Sequence, residues 1–103
     1  MAEFIHVIAY HQFPVGHKKL VRYKGQEIAL FHLEGGLYAI ANKCPHSTGP
    51  LVEGRVTATI VTCPWHGAQF DISTGECCNG PATKNVATYP VHIQNGTIVV
   101  EIS

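Results

Sequence analysis

Two short stretches of this chain carry residue types that bind transition metals: Cys44-Pro45-His46, and Cys63-Pro64-Trp65-His66-Gly67. Each sets one thiol and one imidazole two or three positions apart, and sixteen residues separate His46 from Cys63. In an extended or turning loop, side chains at that spacing can enter the same small volume. Two such loops facing each other would deliver two sulfurs and two nitrogens. The proline after each cysteine stiffens its loop and limits the entropy lost when ligands converge. Gly67 allows close backbone approach beside the second histidine.

That donor set suits two kinds of centre. Zinc accepts two cysteines with two histidines, but structural zinc sites usually group like ligands with like, whereas here each stretch holds one of each. The other candidate is a [2Fe–2S] centre in which two histidines replace two cysteines on one iron.

Either centre needs a scaffold, and the rest of the chain reads as sheet. Phe4 to Ala9 is a short apolar run. Glu27 to Leu33 and Leu37 to Ala41 are apolar strands either side of Glu34-Gly35-Gly36, a hairpin signal. Thr57 to Thr62 (TATIVT) is rich in β-branched residues and reads as one further strand. Val91 to Ile93 and Ile98 to Ile102 flank Gln94-Asn95-Gly96-Thr97, and Asn-Gly between apolar runs is a strong hairpin signal. Helical periodicity is nearly absent, so the expected fold is all-β, with about eight to ten short strands in an antiparallel sandwich or barrel. All four cysteines and four of the six prolines fall between Asn42 and about Lys84. That segment is expected to be a small inserted subdomain, about 42–84, mounted on a base formed by 1–41 and 85–103.

Composition bounds the rest. A chain of 103 residues makes one domain, and 46% apolar against 14% charged residues excludes intrinsic disorder. Seven Lys and Arg balance seven Asp and Glu, which removes the field that non-specific nucleic-acid binding needs. Apolar stretches such as Ile5 to Tyr10 are far shorter than a membrane span, and His6 interrupts that one. Met1-Ala2-Glu3 opens with neither a basic nor an apolar leader, so a cytoplasmic location is expected.

The two motifs, with their spacing, resemble those of the Rieske family, whose signature is C-x-H and then C-x₂-H. The resemblance runs on through Pro50-Leu51, Gln69-Phe70-Asp71, Thr74-Gly75 and Tyr89-Pro90-Val91, and so covers nearly the whole chain. It implies a Rieske-like fold holding one [2Fe–2S] cluster, with Cys44 and Cys63 on one iron and His46 and His66 on the other. Neutral imidazoles donate less negative charge than thiolates, so Rieske potentials span about −150 to +300 mV, against about −400 mV for plant-type ferredoxins. High-potential members carry an extra cysteine in each loop and two hydroxyls bonded to sulfur. Thr48 or Gly49, Trp65, Ala68 and Phe70 stand at the corresponding places here, which implies the low end, about −150 mV. The chain is thus similar to the ferredoxin component of bacterial aromatic-ring-hydroxylating oxygenases. It would be a monomeric one-electron carrier, not itself an enzyme, between an NAD(P)H-dependent flavoprotein reductase and a terminal oxygenase. The rivals are the Rieske-like small subunit of an assimilatory nitrite reductase and a zinc-stabilised β module that only binds.

Other residues read more plainly. Of Cys77 and Cys78, one is expected to be a small buried residue and the other a bystander. Trp65 either packs over the cluster or serves a docking partner. Asp71 is expected to brace a turn. His6, His11, His17, His32 and His92 lack ligand spacing, and His32, between Phe31 and Leu33, is expected to be partly buried. Lys18, Lys19, Arg22 and Lys24 read as a solvated strand edge, the alternative being a docking patch for an acidic partner, placed in the base and away from the metal motifs in sequence.

Overall fold

The computed structural model describes residues 2–45, 48–65, 67–79 and 84–102. Among these residues the chain forms three antiparallel sheets. The first has the order β1-β11-β10, with β1 at Glu3–Ala9, β10 at Val91–Gln94 and β11 at Thr97–Ile102. The second is β2-β3-β4-β9, with β2 at Lys18–Tyr23, β3 at Gln26–Leu33, β4 at Gly36–Ala41 and β9 at Thr88–Tyr89. The third is β5-β6-β7-β8, with β5 at Arg55–Thr57, β6 at Ile60–Thr62, β7 at Gln69–Asp71 and β8 at Cys77–Asn79. Two 3₁₀ turns, Tyr10–Gln12 and Leu51–Glu53, link elements.

The second sheet is the middle layer, and β3 explains how. Its side chains alternate between two cores. Ile28 and Leu30 pack with Phe13, Ala39, Ile98 and Val100, while Ala29 and Phe31 pack with Ile40, Leu51, Val61 and Phe70. A strand covered on both faces must be apolar throughout, which is why EIALFHL reads as a continuous run rather than an alternation. Fully burying a side chain such as Phe70 or Leu51 contributes about 1.5–3 kcal/mol. Asn95 and Gly96 both take positive φ, 51° and 77°, the geometry that turns β10 tightly into β11.

Strand number is where the sequence expectation falls short. TATIVT is not one strand. It folds back at Ala58-Thr59, with Ala58 at φ 55°, so that Thr57 pairs with Ile60 and Val56 with Val61. The hairpin buries Val61 completely and gives β6 a partner on each side, β5 and β7. With the short strands β8 and β9, this brings the total to eleven among the described residues.

The basic stretch does lie on an edge strand, β2. Lys24 and Tyr23 reach across to the Glu3 carboxylate at 2.9 and 2.7 Å, tying the second sheet to the first. The Lys24 hydrogen bond is the main reason the Glu3 carboxyl is held below its ordinary range. His32 is buried, not merely partly so, with Nδ1 at 2.6 Å from the Phe13 carbonyl oxygen. His92 Nε2 sits 3.0 Å from a Glu101 carboxylate oxygen on the exposed face of the first sheet.

Candidate metal centre

Cys44 and Cys63 each open a six-residue loop, and the two loops are built alike. In the first, the Cys44 N–H donates to the Gly49 carbonyl at 3.0 Å and the Thr48 N–H donates to the Cys44 carbonyl at 2.7 Å. In the second, the Cys63 N–H donates to the Ala68 carbonyl at 2.8 Å and the Gly67 N–H to the Cys63 carbonyl at 3.1 Å. Thr48 and Gly67, at the same loop position, both take positive φ, 59° and 77°. A bridge between Lys43 and Pro50 closes the base of one loop, and the Thr62–Gln69 pair of β6 and β7 closes the other. Among their described residues, the second loop therefore repeats the hydrogen-bond plan of the first nineteen residues later.

This repeat puts the two cysteines in equivalent places at the roots of their loops. Both thiols are buried, Cys44 at 0% and Cys63 at 2% exposure. They belong to the same apolar cluster as Leu51, Ala68 and Phe70. The loops touch at Gly49, where a Cβ would stand 2.8 Å from Cys63 Sγ and 3.0 Å from Cγ of Trp65. The first loop thus approaches the second thiol as closely as a bare backbone allows. Trp65 leaves over half of its surface, 57%, in solvent while its ring covers Gly49. Of the two readings for Trp65, packing across the loops is met directly, and its exposed part remains open to a partner.

His46 and His66 lie outside the described residues, as does Ser47. Among the described residues no three His, Cys, Asp or Glu side chains cluster closely enough to hold a metal. The donor chemistry present nevertheless fits an iron–sulfur centre. Two buried thiols stand at matching roots of adjoining loops, and the backbone between them has been pared down to glycine.

Sequence reasoning missed the residue that braces the first loop. Asn42 is 1% exposed; its Oδ1 accepts from the Val52 N–H at 2.8 Å and its Nδ2 donates to Glu27 Oε1 at 3.2 Å. Its backbone adds two bonds, Asn42 N–H to Glu27 O at 2.9 Å and Leu51 N–H to Asn42 O at 2.7 Å. One side chain thus ties strand β3, the 3₁₀ turn and the start of the Cys44 loop together. That Asn42 bond, followed by the Arg22 bond, holds the Glu27 carboxyl below its ordinary range. The sequence signal that could have found it is a lone amide closing the apolar run Leu37–Ala41.

Asp71 has the bracing part expected of it. Its carboxylate accepts from the Ser73 hydroxyl at 2.6 Å and the Ser73 N–H at 2.9 Å, and chiefly the hydroxyl bond lowers its pKa. Of the two neighbouring cysteines, only Cys77 differs from expectation, while Cys78 is the bystander. Cys77 is half-buried against the core rather than buried, and Cys78 is exposed. The reason is a register shift between β7 and β8: Gln69 faces Asn79 and Phe70 faces Cys77, leaving Cys78 as the extra residue.

Three antiparallel sheets with two thiol-bearing loops at one end define a small all-β iron–sulfur protein. The chain belongs to the Rieske [2Fe–2S] domain family, whose model matches residues 3–90, and its cofactor is accordingly one Rieske-type [2Fe–2S] cluster. It is 33% identical over 101 residues to the ferredoxin component of a naphthalene 1,2-dioxygenase system of Pseudomonas aeruginosa, covering 98% of this chain and 97% of that one. Among solved structures, a carbazole 1,9a-dioxygenase complex of reduced oxygenase with oxidised ferredoxin superposes with TM-score 0.89 at 26% identity, covering 94% of this chain and 91% of its counterpart. A chain described as an NADH-dependent nitrite reductase small subunit from Mycobacterium tuberculosis superposes with TM-score 0.86 at 25% identity, covering 100% and 97%.

Proposed function

We propose that this protein is the ferredoxin of an aromatic-ring-hydroxylating oxygenase system: it accepts one electron from an NAD(P)H-dependent flavoprotein reductase and passes it to a terminal oxygenase. The observation that carries the reading is the pair of buried thiols at the equivalent roots of two adjoining loops. Cys44 and Cys63 would hold one iron, and His46 and His66 the other. When bound, the cluster supplies a one-electron couple biased by its two neutral ligands toward the Rieske range. The chain's own residues do the rest. The loop-closing bonds of Cys44 and Cys63 hold the thiolates, Asn42 braces the first loop, and the apolar cluster around Leu51, Ala68 and Phe70 keeps water from the sulfurs.

A shuttle has to bind two partners in turn and release both, which suits a monomer. Supply from a pyridine-nucleotide pool suits the cytoplasm. No helix among the described residues is long and apolar enough to cross a membrane.

Full-length similarity to a nitrite reductase small subunit supports a second reading, in which the chain stays bound to a large subunit. Electron paramagnetic resonance of the dithionite-reduced protein, with iron, sulfide and zinc assayed together, is the first test. A rhombic signal typical of nitrogen ligation, with two irons and two sulfides per chain, is the expected result. A silent spectrum with one zinc per chain would replace the carrier with a binding module. Gel filtration of natively expressed protein separates the two redox readings, since a permanent subunit would elute with its large partner.

A further inference from the structure

The chain has no net charge, yet its charges are not evenly spread. Lys43 precedes Cys44, and Arg55 pairs in β5 with Thr62, the residue before Cys63. Both side chains are exposed. Arg22 reaches Glu27 at 3.3 Å, and the same carboxylate is bound by Asn42 and feels Lys43, so Arg22 belongs to this end as well. Lys18 bonds the Gly54 carbonyl at 2.7 Å, which carries a fourth cation beside Arg55. Against these four stand two carboxylates, Glu27 and Glu53. The opposite ends of the strands reverse the balance. Glu34 lies in the β3–β4 turn, and Asp71 and Glu76 lie in the β7–β8 hairpin, all at the strand ends away from the cysteine loops, three carboxylates against Lys84, whose neighbour Asn85 accepts from the Cys77 N–H at 2.9 Å.

This placement revises what the sequence suggests. Lys18 and Arg22 are remote from the metal motifs in the chain, but Gly54 and Glu27 tie them to the loop end. A cleft of about 510 Å³ lined by Glu53, Gly54, Arg55, Thr62, Cys63 and Pro64 sets the Arg55 side directly against the second cysteine loop. Exposed Trp65 stands two residues beyond Cys63. Arginine and tryptophan are the residue types enriched where protein interfaces are anchored.

Resting on the electron-carrier reading, we propose that the Arg22, Lys43 and Arg55 flank, with exposed Trp65 on the second cysteine loop, is the docking face for an acidic surface on a redox partner. Because the far end is acidic, the molecule presents a charge dipole to that partner. The partner's field turns the cysteine loops toward it before contact, although net charge supplies no attraction.

Charged oxidants read this field without needing the partner. The dithionite-reduced, iron-loaded protein gives one electron either to ferricyanide, forming ferrocyanide, or to hexaamminecobalt(III), forming cobalt(II). The ferricyanide-to-cobalt rate ratio is expected to fall as salt rises from about 0.01 to about 1 M, because screening removes attraction for the anion and repulsion of the cation. At low salt, Lys43→Glu/Arg55→Glu should lower that ratio about tenfold or more, whereas the distal Glu34→Lys/Glu76→Lys should leave it within about twofold. Poly-L-glutamate should slow the ferricyanide reaction of the wild type and not that of the Lys43→Glu/Arg55→Glu variant. If the reversed variant fails to retain iron, Lys43→Gln/Arg55→Gln takes its place, and the wild-type salt dependence stands by itself. A ratio that is flat or rises with salt, equal effects at the two ends, or indifference to poly-L-glutamate would overturn the docking face. Failure to exchange electrons with either oxidant would instead overturn the carrier reading.

Discussion

Gly49→Ala tests whether close contact between the loops is what shapes the metal centre. The added methyl would sit 2.8 Å from Cys63 Sγ, and 3.0 and 3.1 Å from Cγ and Cδ2 of Trp65. Carbon and its heavier neighbours prefer about 3.5–4.0 Å, so the overlap with sulfur is roughly 0.7 Å or more. Trp65 is exposed and can swing away. Cys63 cannot, since its N–H and carbonyl are both bound within its loop and its side chain is buried. Either the sulfur turns or the Gly49 backbone retreats, and the latter strains the bond that Gly49 O accepts from Cys44. Overpacking of this kind costs about 1–3 kcal/mol. Displacing a proposed ligand sulfur by more than about 0.5 Å also exceeds the tolerance of a preorganised site. The expected result is a folded protein of lower melting temperature, with iron and sulfide content well below wild type. Gly35→Ala is the control, because its methyl meets only the hydroxyl tip of Tyr38 at 3.4 Å. If Gly49→Ala kept full iron, an unchanged potential and wild-type stability, inter-loop contact would not be what positions the Cys63 sulfur.

His66→Cys should leave a cluster of lower potential, shifted toward the about −400 mV of all-cysteine plant-type centres, as thiolate replaces a neutral ligand; voltammetry showing an unchanged or raised value would contradict the proposed ligation. Asn42→Ala should cost about 1–3 kcal/mol in denaturant unfolding, because the Val52 N–H loses its acceptor. It should also speed iron loss to a chelator, and a loss of stability with unchanged iron retention would limit Asn42 to a purely structural part. Asp71→Ala should destabilise at neutral pH and progressively less in acid. Its folded pKa is depressed, so the contribution is full above the unfolded value of about 3.9 and fades as pH falls through the folded one. Melting temperatures of the two proteins should therefore converge as pH falls below the ordinary aspartate range, and a gap that stays constant in acid would remove the carboxylate from the account.

Much of this protein is legible one segment at a time. The metal motifs are local spacings, and Asn95-Gly96 takes the turn its residues demand. The doubly covered β3 shows as an unbroken apolar run. What stays hidden depends on neighbours distant in the chain. TATIVT has the composition of one strand, and only the packing of Val61 between β5 and β7 makes it a hairpin. Asn42 looks like any loop amide until Val52 and Glu27 arrive beside it. His32 joins the interior because the Phe13 carbonyl comes to its ring.

By itself, then, the sequence determined the all-β class, the Rieske resemblance and the two loops that carry the thiols. Ligand type, turn chemistry and strand pattern are properties of neighbouring residues, so they can be read without a fold. The tertiary structure alone decided that the loops repeat one hydrogen-bond plan, that Gly49 lies against Cys63, and that four cations gather at the end where the cysteines lie. The Gly49–Cys63 and Lys18–Gly54 contacts join parts far apart in the chain, set by sheet order and core packing, and no local pattern encodes them.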